Sequence, residues 1–113
     1  MVMSLGDLEQ LVLLALARLG REAYGAAIAV EIEEGVGRAV TPGALYTVLE
    51  RMAAKGYVES WIGDSTPERG GRKRKMYRIL PLGARELSTW YSGVSAMAST
   101  VLDDLDDLAR EEG

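Results

Sequence analysis

The chain has 113 residues, 48% apolar and 27% charged, enough for one folded domain with a modest core and not for two. It contains no cysteine and no histidine, which removes disulfides, thiolate chemistry and the commonest general base and metal ligand. The net charge of −4 is polarised: "RGGRKRKMYR" at 69–78 carries six cations and no acid, whereas "DDLDDLAREE" at 103–112 carries six acids against Arg110, a layout that suits one surface for an anion and another kept away from it.

The start of the chain does not read as a secretory leader, and no apolar run approaches the roughly 18 residues of a membrane span, so a cytoplasmic protein with no membrane segment is expected. "DLEQLVLLALARLG" is apolar over much of its circumference, with Asp7 near its start and Gly20 after its end, and reads as a mostly buried first helix. "YGAAIAVEIEEGVG" places Ile28 and Ile32 four apart and reads as a shorter second helix stopping at Gly35 or Gly37. In "VTPGALYTVLERMAAKGYVES", Thr41 is a ready N-cap, Pro42 suits the first helical position, and Gly56 suits a left-handed stop. Leu45, Val48, Leu49, Met52 and Ala53 then form an inward stripe, leaving Thr47, Glu50, Arg51 and Lys55 outside.

After Gly56 the period changes. "YVESWIGD" and "KMYRIL" are short β-type runs around "STPERGGRK", a hairpin with a long basic tip. From Pro81 the helical period returns: Leu87, Tyr91, Val94, Ala98, Val101, Leu105 and Leu108 are spaced by fours and threes, as one long helix. The expected fold is mainly α with a small β-hairpin: a winged helix-turn-helix over residues 1–80 and a C-terminal helix over 81–113, in one compact unit. A helix offered to the DNA major groove needs its inner face held in a core and its outer face and N-terminus free. The third helix meets both needs, and Arg and Lys on the hairpin tip suit phosphates.

The chain also resembles the PadR-like transcriptional regulators. The resemblance is carried by "YG" at Tyr24 and Gly25, by "TPGALYTVLERMAAKGYVES" at 41–60 and by "GGRKRKMYRILPLGARELS" at 70–88, and with the first helix it covers most of residues 5–90. It implies a bacterial or archaeal repressor, bound as a homodimer to a palindromic operator in double-stranded DNA and dimerised through the C-terminal helix. It further implies DNA contacts from Tyr24, Thr41, Gly43, Tyr46, Thr47 and the wing cations. The DNA-binding set expected is thus Tyr24, Thr41, Pro42, Gly43, Tyr46, Thr47, Arg51, Arg69, Arg72, Lys73, Arg74 and Lys75. One departure is Leu80, where the family usually has a threonine that caps the last helix better.

A 3-4 stripe of this length beyond a complete core would expose apolar surface unless a second copy covered it. The expected dimer interface is Leu87, Trp90, Tyr91, Val94, Met97, Ala98, Val101, Leu105 and Leu108; the alternative is folding back onto the chain's own first helix. In relatives, planar aromatic compounds bind between the dimer helices, so Trp61, Trp90 and Met97 are candidates for an inducer pocket; otherwise both tryptophans simply pack. The C-terminal aspartates fall off the stripe and read as a solvated face, with no metal, cofactor or catalytic residues expected. The competing function is a winged-helix module that binds an acidic protein. An enzyme is the poorest fit, because the chain offers no paired nucleophile and base.

Overall fold

A computed structural model of the protein describes residues 5–63 and 73–111. Helix α1, Asp7–Leu19, starts after Gly6, whose N–H donates to Glu9 Oε1 at 2.9 Å, half of a capping box. Its stop is Gly20 at φ +60°. Val12, Leu13 and Leu16 of α1 are fully buried and form the centre on which the other elements pack. A 3-10 turn, Gly20–Glu22, leads into α2, Gly25–Val36, which adds Ile28 and Ile32 to that core. Of the two candidate stops, Gly37 is used, in the left-handed conformation.

Helix α3, Pro42–Ala54, has the expected start. Thr41 Oγ1 accepts from the Ala44 N–H at 3.2 Å and Pro42 occupies the first turn, where a missing N–H costs nothing. Gly56 follows the helix at φ +79° and returns the chain to extended backbone. Leu45, Val48, Leu49 and Met52 are buried, but Ala53 is exposed, contrary to the inward stripe expected. At about 100° per residue Ala53 lies roughly 90° from the mean direction of the other four, beyond the face that α1 and α2 cover.

Strands β1, Val58–Ile62, and β2, Lys75–Ile79, pair antiparallel, with Val58 opposite Ile79 and Ser60 opposite Tyr77. Alternation puts Val58 and Tyr77 into the core and Glu59, Trp61 and Arg78 on the other face. The stretch before α2 extends this sheet: the Tyr77 N–H donates to Ala23 O at 2.8 Å, and Tyr24 bridges Met76. Helix α4, Pro81–Ser99, starts at Leu80 with no side-chain cap, as its apolar side chain requires, and with Pro81 in the first turn. The Leu80 N–H donates to Tyr57 O at 2.8 Å, which ties α4 to the end of α3.

The single long C-terminal helix expected is in fact two. Helix α5, Leu102–Arg110, follows a break at Thr100 and Val101, the latter at φ −131°. Ser99 Oγ donates to Ala96 O and Thr100 Oγ1 to Met97 O, each at 3.1 Å, so side chains compete for the carbonyls of the last turn. Two adjacent β-branched residues, Thr100 and Val101, follow there with little helix propensity to resist the break.

Candidate nucleic-acid interface

Helix α3 presents Tyr46, Thr47, Glu50 and Arg51 outward, beside an N-terminus formed by Thr41, Pro42 and Gly43, all exposed. Thr47 Oγ1 donates to Gly43 O at 2.8 Å, which leaves its lone pairs free to accept. Tyr46 is 44% exposed, and its hydroxyl lies over α2: a Cβ built on Gly25 would sit 2.2 Å from it. A side chain at position 25 would therefore require the Tyr46 ring to move aside. Lys55, expected on the outer side, instead turns back to Glu9, with Nζ 2.9 Å from Oε2, because it caps the helix next to the start of α1.

Glu9 is 6% exposed. Burial pushes its pKa up, but hydrogen bonds from Lys55 and the Gly6 amide, with the charges of Lys55 and Arg51, outweigh that and hold it below the usual 4.5. Tyr77, beneath the α3 face, is raised by burial and by the neighbouring Tyr46 and Glu50.

The described cations of the hairpin do not share one environment. Lys73 and Lys75 are exposed. Arg74 is half-buried, its guanidinium 3.9 Å from the centroid of the Tyr24 ring. Arg78 pairs across the strands with Glu59 and lies 5.8 Å from the Trp61 ring. Arg69 and Arg72 lie outside the described residues.

An exposed capped helix beside a basic hairpin is the arrangement of a winged helix-turn-helix, and residues 12–89 match the Transcriptional regulator PadR-like family. The chain belongs to that family. It is accordingly a transcriptional regulator by kind and not an enzyme. No curated protein matches the chain. Among solved structures it is similar to a PadR family regulator from Clostridium difficile, with a TM-score of 0.73 and 23% identity over 88% of this chain and 99% of that one. A PadR family regulator from Eggerthella lenta gives 28% identity and a TM-score of 0.59, over 94% and 88% of the two chains. Bacillus subtilis PadR, solved in complex with operator DNA, gives 22% identity and a TM-score of 0.63, over 75% of this chain and 47% of that one.

The remaining expected residues of this PadR-like protein lie on α4, at the break after it and on α5, with Trp61 on β1. Leu87 is buried and Trp90 packs against the core of its own chain. Beyond them Tyr91, Val94, Val101, Leu105 and Leu108 are exposed, Ala98 is half-buried, and Met97 is 79% exposed. Trp61, at 39% exposure, borders a cavity of about 440 Å³ with Leu16, Ala17, Gly20, Arg21, Arg78 and Ile79; Trp90 and Met97 do not line it. Among the described residues no cluster of acids is arranged to hold a metal, and no helix is long and apolar enough to cross a membrane.

Three contacts have no signal in the sequence: Lys55 on Glu9, Arg74 on Tyr24, and Gly83 against Tyr57. Each joins residues distant in the chain. For Gly25 a signal existed in the Tyr-Gly pair, but not its cause.

Proposed function

We propose that the protein is a homodimeric repressor that reads a palindromic operator with α3 and grips the flanking backbone with the hairpin. The observation that carries this reading is the joint exposure of the outer face of α3 and of Lys73 and Lys75, on a helix pinned by Leu45, Val48, Leu49 and Met52. Thr41, Gly43, Tyr46, Thr47 and Arg51 would meet bases and phosphates, and the exposed hairpin lysines Lys73 and Lys75 phosphates alone. The operator complex of Bacillus subtilis PadR, of similar fold, supports the choice of partner. Residues 1–80 form the reading head.

Residues 81–113 join two copies through Tyr91, Val94, Met97, Ala98, Val101, Leu105 and Leu108, an apolar strip whose exposure on one protomer supports burial on another. A small planar aromatic inducer releasing the operator is the third part of the proposal. Trp61 over an open cavity supports it, with Trp90 and Met97 joining only if the dimer brings them near. Such a regulator works in the cytoplasm.

The test is selection of bound sequences from a random duplex library, then a salt titration on the best site. Enrichment of an inverted repeat with half-sites about 10 base pairs apart is expected. Binding with no enrichment would sink the operator reading, and no salt-sensitive binding at all would favour a protein partner.

A further inference from the structure

We propose that Arg74 is a positioning residue for DNA binding: stacked on Tyr24, it fixes the root of the hairpin to the start of α2, and through it the height of the hairpin relative to α3, without neutralising a phosphate itself. This rests on the DNA-binding reading above. Of the four hairpin cations described, Lys73, Lys75 and Arg78 are exposed, the last paired with Glu59, while Arg74 is half-buried, with its guanidinium 3.9 Å from the Tyr24 centroid. That distance is well inside the roughly 6 Å over which a guanidinium is held by a ring face.

The backbone around the stack is tied on both sides. Arg74 O accepts from the Gly63 N–H at 2.7 Å, the outermost described rung between the two strands. Tyr24 bridges Met76, and Ala23 O accepts from the Tyr77 N–H at 2.8 Å. On the other side Gly25 lies under the Tyr46 hydroxyl, so close that a Cβ would meet it at 2.2 Å. Three consecutive residues, Ala23, Tyr24 and Gly25, therefore hold the hairpin on one flank and the first turns of α3 on the other.

A two-element reader gains affinity when both elements are held at the spacing of their targets before binding, because the ordering entropy is already spent. Arg74 supplies part of that order. Its loss can weaken binding by no more than the stack itself contributes, about two- to fivefold per subunit.

The experiment is a salt titration of operator binding by the full chain, for wild type, Arg74→Lys, Arg74→Gln, Tyr24→Leu and Tyr24→Leu with Arg74→Lys, with thermal melts to confirm folding. Arg74→Lys keeps the charge and loses the planar stack. It is expected to weaken binding about two- to fivefold per subunit, with the slope of log K against log salt unchanged. Arg74→Gln should also leave the slope unchanged, and Arg74→Lys should add nothing on the Tyr24→Leu background. The proposal is overturned if Arg74→Gln lowers the slope by about 0.9 per subunit, the mark of a lost phosphate contact. It is overturned equally if Arg74→Lys binds like wild type. Should Tyr24→Leu not fold, the two Arg74 variants decide alone. Failure of the wild type to bind any duplex in a salt-dependent way would instead overturn the DNA-binding reading, a result visible before any variant is compared.

Discussion

Gly83 shows how one missing side chain sets the geometry of a whole element. A Cβ there would lie 2.4 Å from Tyr57 O and 3.1 Å from the Tyr57 Cα, and these are backbone atoms that cannot swing aside. The same carbonyl accepts the Leu80 N–H, so α4 cannot slide away without losing that bond. Gly83→Ala should therefore destabilise the fold by about 2–3 kcal/mol, measurable by urea unfolding; a loss within about 0.5 kcal/mol, the range of surface substitutions, would show that α4 shifts freely. Gly25 is the contrasting case, since the atoms it would meet are the end of an exposed tyrosine side chain. Glu9 adds a pH-dependent contribution. Its folded pKa lies below the ordinary 4.5, so the stabilisation is fully present above 4.5 and is lost as pH falls through the lower folded value. Glu9→Gln should cost about 1–2 kcal/mol at pH 7, and the gap to wild type should close between pH 5 and acid. A gap independent of pH would mean the carboxylate charge is not what binds Lys55.

At the scale of elements, α3 and the α4–α5 pair solve opposite problems. Helix α3 has one face fixed by four buried side chains and a tight cap, so its outer face is free to be polar and readable. Helices α4 and α5 leave Val94, Val101, Leu105 and Leu108 exposed, each near or above 40%, in a chain whose core is filled elsewhere. Covering that strip with a second copy recovers about 25 cal/mol per Å² of apolar area. If two copies pair through this strip as proposed, Val94→Asp, which places a charge in it, should leave the chain folded but monomeric at micromolar concentration in sedimentation, where the wild type is dimeric. Unchanged sedimentation would move the interface to another face. The break at Thr100 means that the two halves of the strip need not point the same way, so a second copy would not be met along one straight seam.

For the whole molecule, the separation of charge matters more than its sum. The net charge of −4 would repel DNA, yet the cations concentrate on the hairpin and the paired aspartates on α5, where all four are exposed. Interactions between exposed charges fade beyond about 8 Å at physiological salt. Replacing Asp103, Asp104, Asp106 and Asp107 with asparagine should thus change operator affinity less than threefold at 150 mM salt, as read by fluorescence anisotropy. A gain of tenfold or more would place α5 at the DNA.

The sequence by itself determined what local chemistry decides. Thr41 and Pro42 start a helix whatever surrounds them, Gly20, Gly37 and Gly56 each stop one by tolerating positive φ, and the change from period 3.6 to period 2 after Gly56 marks the hairpin. Those signals were enough to read the fold class and the exposed face of α3 apart from Ala53 and Lys55. Only the tertiary structure decided how the elements lock together. Glu9 and Lys55 are 46 positions apart, Tyr24 and Arg74 meet across the sheet edge, and Gly83 rests on Tyr57; no periodicity within a helix or strand encodes such pairs. The end of the C-terminal helix was misread for a related reason. Apolar spacing continues in step through Thr100 and Val101, while the break depends on hydroxyls bonding back to carbonyls, a competition that a hydrophobic pattern does not record.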